Sequence, residues 1–197
     1  MTKLNAIKIK KYLNFVSKFI EGVNAFLSVF KKSQEQIQPN SQNVKEKILN
    51  EAVDFICLKE GFSNTAYKCP AGKWTIGHGL TEPLKNLRAE EVSEIYMSKE
   101  ESKKYVKAYV EKDYDYLKAL EIKHQKIIKD KEYVAFLSFM YNFGRSKFAS
   151  STLFKHIFKT EIFYAKEFQK WIYIKGNSSD GLKKRREEEI ALFLNDK

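Results

Sequence analysis

Apolar residues recur at helical spacing near the start of the chain. Between residues 9 and 30 they follow one another every three or four positions, while Lys, Asn and Glu mostly fill the opposite side. This pattern predicts an amphipathic helix within an extension over residues 1–32. Residues 33–43 are polar and include Pro39, which is typical of a linker. The apolar stripe consists of Ile9, Leu13, Val16, Ile20, Val23, Leu27 and Phe30.

Two charges oppose insertion of this first helix across a membrane. Lys18 and Glu21 lie in the middle of its least polar window, and each charge near the centre of a spanning helix costs roughly 2.5–3.5 kcal/mol. No small-residue cleavage site follows a short apolar core, so the pattern does not indicate a cleaved signal peptide. Two alternatives stay open: residues 9–30 lie on a membrane surface, or they pack against protein.

From residue 44 to residue 197 the pattern predicts a folded domain. It begins with a helix from about Val44 to Lys59, which has Ile48, Ala52, Phe55 and Ile56 on one face. Two short β segments are then predicted around a Pro-Ala-Gly turn, at Thr65–Lys68 and Lys73–Ile76.

Everything after Leu80 is predicted to be helical. Ser98 followed by Glu101 is a capping-box pattern, which predicts a long helix ending near Leu120. The run from Tyr133 to Phe143 is apolar nearly all round, as is typical of a buried central helix. The predicted fold is α+β, with a small antiparallel β-hairpin lobe beside a larger helical lobe. Shorter helices are predicted at Thr152–Phe158, Glu161–Ile172 and Leu182–Leu194.

Charge and cysteine content narrow the function classes. The net charge of +11 attracts polyanions such as nucleic acid, acidic lipid or an anionic cell wall, but no nucleic-acid-binding motif accompanies it. Cys57 and Cys69 are too few for a disulfide framework, and neither has the spacing of a zinc site. We therefore expect no metal, no organic cofactor and no nucleic-acid partner.

The segment from Cys57 to Gly79 is the most informative in the chain. Glu60 lies at the end of a predicted helix, eight residues before Cys69 on the hairpin, and five residues separate Cys69 from Thr75. A helix end that faces a hairpin can bring one acid and two small polar groups around a single point.

This spacing resembles that of the phage-type lysozymes, whose pattern is Glu, eight residues, Asp or Cys, five residues, Thr. Further blocks match in order, including Leu137–Gly144 and Gly181–Phe193, and the likeness covers about residues 46–194. The resemblance implies a lysozyme-like fold and a muramidase activity. Such an enzyme hydrolyses the β-1,4 bond between N-acetylmuramic acid and N-acetylglucosamine in bacterial peptidoglycan, and so lyses the host cell.

The resemblance also assigns roles to residues. Glu60 is the general acid, which must hold its proton near neutral pH. Cys69 replaces an Asp that positions the attacking water, and as a mostly un-ionised thiol it is interpreted as a weaker positioning group. Thr75 holds the water on the far side of the sugar, which predicts an inverting reaction. The alternative for Cys69 is a covalent nucleophile that gives retention.

Three further residues are predicted to support the site. Arg185 matches the family arginine that pairs with the catalytic glutamate, and Asn142 is a candidate partner of substrate or of Glu60. The order Gly-His-Gly-Leu differs from the family's usual Gly-Tyr-Gly-His, so His78 is expected to line the cleft rather than to catalyse. A buried thiol is the default for Cys57, and a regulatory disulfide with Cys69 is the alternative.

Two other function classes compete with hydrolysis. A lytic transglycosylase also uses a single acid but needs no positioned water, so Cys69 and Thr75 would then have other roles. A cationic protein that disrupts membranes or binds the wall would depend on residues 1–32. The leading hypothesis predicts a monomer that is made in the bacterial host cytoplasm and acts in the periplasm. Two routes of export stay open: residues 9–30 act as a weak, releasable membrane anchor, or the protein leaves through a separate pore.

Overall fold

Helix α1, at residues 41–60, is the first described element of the chain in a computed structural model. The structure describes residues 41–69, 72–159 and 165–194, so the predicted helix over residues 1–32 lies outside the described residues. The buried face of α1 carries Ile48, Leu49, Ala52 and Ile56, none more than 2% exposed. The described residues from 47 onward belong to one compact unit.

An antiparallel hairpin follows α1. Tyr67 pairs with Thr75 across the two strands. The N–H of Cys69 donates to the carbonyl of Lys73 at 2.9 Å, which closes the hairpin around the predicted turn. The strands are β1 (Ser63–Lys68) and β2 (Trp74–Gly77).

Helices make up most of the rest, which confirms the predicted α+β architecture. Ser98 and Glu101 form the predicted capping box, and the helix they begin continues beyond Leu120 to His124. The central helix carries eight consecutive buried residues, Tyr133 to Met140, as its all-round apolar pattern predicts. The helices are α2 (Ala89–Val92), α3 (Lys99–His124), α4 (Asp130–Phe143), α5 (Arg145–Ser150), α6 (Thr152–Lys159) and α7 (Asp180–Leu194).

Two features between α6 and α7 differ from the prediction. The region predicted as a helix at Glu161–Ile172 is described from residue 165, where a 3-10 helix spans Ala165–Lys170. A second small hairpin then pairs β3 (Tyr173–Ile174) with β4 (Asn177–Ser178), so the expectation of only helices after Leu80 was wrong. Its physical reason is the turn at Lys175 and Gly176, where both residues have positive φ, as a tight hairpin turn requires.

Candidate active site

Glu60 occupies the last position of α1, at the boundary between the helical lobe and the hairpin. Its side chain is 21% exposed, so it is partly shielded while still reachable from solvent. Arg185 Nη1 donates a hydrogen bond of 2.5 Å to Glu60 Oε1. The structure therefore joins the first described helix to the last one through the pairing that the resemblance implies.

The guanidinium of Arg185 is fixed on its other edges by α4 and α7. Its Nη2 donates to the carbonyl oxygen and to the hydroxyl of Ser138, both at 3.1 Å. Its Nε lies 3.2 Å from the same hydroxyl and 3.4 Å from Glu189 Oε1. Because each of the three nitrogens has a partner, the guanidinium plane has one orientation, with one edge toward Glu60.

Arg186, the neighbour of Arg185, points away from Glu60 into the core. It is fully buried, and its guanidinium lies over the rings of Phe139 and Phe143 at 5.1 and 5.0 Å. Its Nη2 donates to Glu189 Oε1 at 2.7 Å. Burial lowers the pKa of Arg186 to about 10, although the charge of Glu189 opposes that change. The resemblance singled out Arg185, and the structure places that side chain, rather than Arg186, against Glu60.

A second ion pair joins the end of α1 to α7. Lys59 contacts Glu188, next to the pair between Glu60 and Arg185. Burial lowers the pKa of Lys59, and the positive charges of Lys184 and Arg185 lower it further.

Gly79 covers the other oxygen of the Glu60 carboxylate. A Cβ on Gly79 would lie 3.2 Å from Glu60 Oε2, and the φ of +81° favours glycine. Gly79 and Tyr141 both line a pocket of about 310 Å³ between the hairpin lobe and helices α3 and α4. Burial raises the pKa of Tyr141, and the charge of Glu60 raises it further. The acid is therefore adjacent to an open pocket with an aromatic wall.

The predicted water-positioning residues lie on one hairpin. Tyr67 is paired with Thr75, so these two side chains share a face of the hairpin, and Cys69 follows on that face two residues later. Burial raises the pKa of Tyr67, and the charges of Cys69 and Glu60 add to the rise. Glu60 and Cys69 therefore both lie near enough to Tyr67 to affect its ionisation.

Thr75 is 3% exposed, and its hydroxyl donates to the carbonyl of Lys73 at 3.1 Å. Since that bond uses the proton, the oxygen of the hydroxyl is left as an acceptor. Cys69 at the hairpin loop is partly exposed.

His78 lies in the core rather than in the open cleft. Its side chain is 1% exposed, and its Nδ1 lies 2.8 Å from Ser102 Oγ on α3. The ring also packs against Phe62, with centroids 5.1 Å apart. Burial lowers the pKa of His78, and Lys99 and Lys103 lower it further. His78 therefore offers support to the hairpin but little surface to a substrate.

Asn142 and Cys57 have no direct contact with Glu60 among the described hydrogen bonds. Asn142 lies on α4, and its Oδ1 is buried with no partner in the described part of the chain. Its proposed role toward substrate stays a prediction. Cys57 is a buried thiol, and burial raises its pKa to about 11, so it remains protonated near neutral pH.

Sequence reasoning missed three residues that organise the site. Ser138 and Glu189 hold Arg185, while Tyr141 donates its hydroxyl proton to the carbonyl of His78 at 2.8 Å. A signal existed for the first two. Glu189 lies one helical turn after Arg185, and Ser138 is a polar residue inside an otherwise apolar helix.

Comparison with known proteins gives a consistent result. A family model described as phage lysozyme matches residues 58–189. The endolysin of Acyrthosiphon pisum secondary endosymbiont phage 1 is 34% identical over 140 residues, which cover 68% of this chain and 88% of that protein. The SAR-endolysin of Enterobacteria phage P21 is 31% identical over 137 residues, covering 68% of this chain and 77% of the relative.

A solved structure agrees with these relatives. The endolysin from Escherichia coli O157:H7 phage FAHEc1 superposes with a TM-score of 0.57 at 28% identity, covering 75% of this chain and 92% of that one. The predicted lysozyme-like fold is thereby confirmed. With a family model over most of its length and a relative above 30% identity, the chain belongs to the phage lysozyme family and is a glycoside hydrolase that acts on bacterial peptidoglycan.

Proposed function

We propose that this lysozyme cleaves the β-1,4 bond between N-acetylmuramic acid and N-acetylglucosamine with Glu60 as general acid and with inversion of configuration. The observation that carries the proposal is the placement of the Glu60 carboxylate. One oxygen is held by Arg185, and the other faces Gly79 beside the pocket of about 310 Å³. A protonated carboxyl in that position can donate to the leaving oxygen of a bound glycan.

The attacking water is held on the opposite side of the sugar by the hairpin. As its oxygen bonds to the anomeric carbon, the leaving oxygen takes the proton of Glu60 and the water loses a proton to the surrounding solvent. Thr75 offers an acceptor oxygen, because its proton is engaged by Lys73. Cys69 lies on the same face and offers a thiol that orients the water without the full charge of an Asp. With Glu60 as the acid on one side of the sugar and the water held by the hairpin on the other, inversion is the expected outcome, since the acid and the water approach the anomeric carbon from opposite faces.

The pocket supplies groups that suit a polar sugar chain. Tyr109 and Tyr141 offer ring surface to sugar C–H groups, while Asp113 and Arg145 offer charged hydrogen-bonding groups. Arg145 is also bonded to Asp113 at 2.8 Å, which holds both side chains in place.

Digestion of purified peptidoglycan by the wild type and by Glu60→Gln tests the proposal. We expect mass spectrometry to show that the wild type releases muropeptides with reducing ends. In NMR spectra taken during the reaction, the anomer that forms first should have the configuration opposite to that of the cleaved β bond. Glu60→Gln should lose activity by at least about a thousandfold, since the acid is removed. The exposed Glu187 provides a matched control, Glu187→Gln, which should retain activity.

Other outcomes would favour the competing reactions. Anhydro-muropeptides as the main product would indicate a lytic transglycosylase, and a retained anomer would indicate a covalent intermediate. Full clearing of cell walls by Glu60→Gln would contradict the enzymatic role of Glu60 and support the cationic, non-enzymatic alternative.

For localisation, we propose action in the periplasm by a monomer, with residues 9–30 as a weak, releasable contact to the membrane surface. The support is the amphipathic pattern of those residues and the likeness to a relative named as a SAR-endolysin. Among the described helices, none has the length and apolar character needed to cross a bilayer. Fractionating cells before lysis, with the full chain and with a variant that lacks residues 1–43, tests the membrane contact. Equal soluble fractions would contradict it.

A further inference from the structure

The carboxylate of Glu189 lies between two arginines in the core of the helical lobe. It is 0% exposed, and its Oε1 accepts from Ser138 Oγ at 2.6 Å and from Arg186 Nη2 at 2.7 Å. Arg185 Nε lies 3.4 Å from the same oxygen. A buried carboxylate is costly unless it is paired and hydrogen-bonded, and the two arginines and Ser138 supply that pairing.

The role of Glu60 creates a physical conflict that Glu189 can relieve. A cation that donates a hydrogen bond to a carboxyl group favours the ionised form, whereas a general acid must carry a proton. Arg185 is such a cation, at 2.5 Å from Glu60. Orientation by Arg185 is therefore useful to catalysis only if its positive charge is partly offset.

We propose that Glu189 is a positioning residue that holds the Arg185 guanidinium against Glu60 and offsets part of its positive charge. The inference rests on the proposed role of Glu60 as the acid. Glu189 and Ser138 share the Nε side of the guanidinium, so they fix which edge faces Glu60. Arg185 and Arg186 bring two positive charges to this buried region, and Glu189 offsets one of them, so a protonated Glu60 faces a net charge of one rather than two.

The ionised state of Glu189 follows from its two cationic neighbours. Burial raises the pKa of Glu189, and the charges of Arg186 and Arg185 oppose that rise. Three donors on one oxygen favour the carboxylate over the acid. Among the described residues, the other charged or titratable groups around Glu60 and Arg185 include Lys59 and Cys57 on α1, Tyr67, Cys69 and His78 on the hairpin lobe, Tyr141 on α4, and Lys184 and Glu188 on α7.

The test is the pH profile of kcat/KM for Glu189→Gln with soluble glycan fragments. The amide keeps the shape and an acceptor oxygen but removes the charge, so Arg185 should hold Glu60 more strongly in its ionised form. We expect the alkaline limb of the kcat/KM profile, where Glu60 loses its proton, to move to lower pH by about 1 unit. The value of kcat should fall by about tenfold, with KM little changed. Glu187→Gln on the exposed side of α7 makes the same charge change and should leave the limb in place.

A double variant keeps the test decisive if the single one does not fold. Glu189→Gln with Arg186→Gln removes both members of the buried pair, so no uncompensated charge remains. The limb should then return toward its wild-type position, while kcat stays about tenfold lower because Arg185 has lost a carboxylate partner. Circular dichroism and thermal melting report whether each variant is folded.

The outcomes separate this inference from the proposed function. If the wild type hydrolyses glycan and Glu60→Gln does not, but a folded Glu189→Gln keeps the wild-type limb, the role of Glu189 is overturned alone. A double variant with wild-type kcat would overturn it as well. If Glu60→Gln is active, the proposed function itself fails, whatever Glu189 does.

Discussion

The α-carbon of Gly79 faces the carboxylate of Glu60 so closely that a Cβ at this position would lie 3.2 Å from Oε2. The backbone after β2 therefore forms one wall of the site, and a side chain at this position would fit only if the Glu60 carboxylate moved by a few tenths of an ångström. Such a wall limits where the acid can point, because the opposite side is occupied by Arg185.

We expect Gly79→Ala to lower both stability and activity. The φ of +81° is unfavourable for alanine by roughly 1–2 kcal/mol, and the methyl group would displace the Glu60 carboxylate by a few tenths of an ångström. Urea unfolding and hydrolysis rates measure the two effects, with at least a tenfold loss of kcat expected. If Gly79→Ala were as active as the wild type, the contact between Gly79 and Glu60 would not determine the position of the Glu60 carboxyl group.

Arg185→Lys should behave as a severe substitution in spite of the retained charge. A lysine has a single nitrogen and cannot donate to Glu60, Ser138 and Glu189 together. We expect kcat/KM to fall by about a hundredfold and the free energy of unfolding by about 2–4 kcal/mol. Arg88→Lys on the exposed α2 terminus, where the arginine side chain is 81% exposed, is the control and should change neither. Wild-type kcat/KM in Arg185→Lys would contradict an orienting role.

Substitutions of Cys69 distinguish a water-positioning thiol from a covalent nucleophile. If the thiol only orients water, Cys69→Asp should match or exceed the wild-type rate because a carboxylate accepts hydrogen bonds more strongly, and Cys69→Ala should retain a reduced activity. Intact-protein mass spectrometry during turnover should then show no glycosyl adduct. An adduct on Cys69, together with complete inactivity of Cys69→Ala, would establish the retaining alternative.

Stability should fall as the pH drops below about 6.5 because of His78. Burial lowers the pKa of this imidazole in the folded protein from 6.5, so the unfolded chain takes up the proton first. The stabilisation is complete above the unfolded pKa and is lost as the pH falls toward the folded one. Thermal melting between pH 8 and pH 5 should show this dependence in the wild type and in His124→Gln, and a weaker one in His78→Gln. Identical slopes in all three would rule out His78 as the source.

The sequence predicted the architecture where local signals were strong. The capping box at Ser98 and the apolar run from Tyr133 set the two long helices of the larger lobe, and both are present. The hairpin after Glu60 was placed by its Pro-Ala-Gly turn to within about two residues. Lys175 with Gly176 was a weaker turn signal inside a predicted helical region, so the second small hairpin was missed.

The candidate site was only partly accessible from the sequence. Spacing and resemblance together selected Glu60 and Arg185, which the structure joins by a hydrogen bond. The spacing of Glu189 one turn after Arg185 was a signal for contact between those two residues. It did not show that Glu189 and Arg186 form a buried pair, because a run of arginines and glutamates in a helix is ordinarily a solvated surface. Which members of such a run are buried depends on the packing of α7 against α4, which no local pattern encodes.

The two bridges from the end of α1 to α7 have a consequence for synthesis. Glu60 leaves the ribosome more than a hundred residues before Arg185, its partner, has been translated. Until the closing helix docks, the acid lacks the group that orients it, and Lys59 lacks Glu188. A nascent or C-terminally shortened chain is thus a lysozyme without an aligned acid. Completion of translation supplies Arg185 and so allows the Glu60 carboxyl to be oriented.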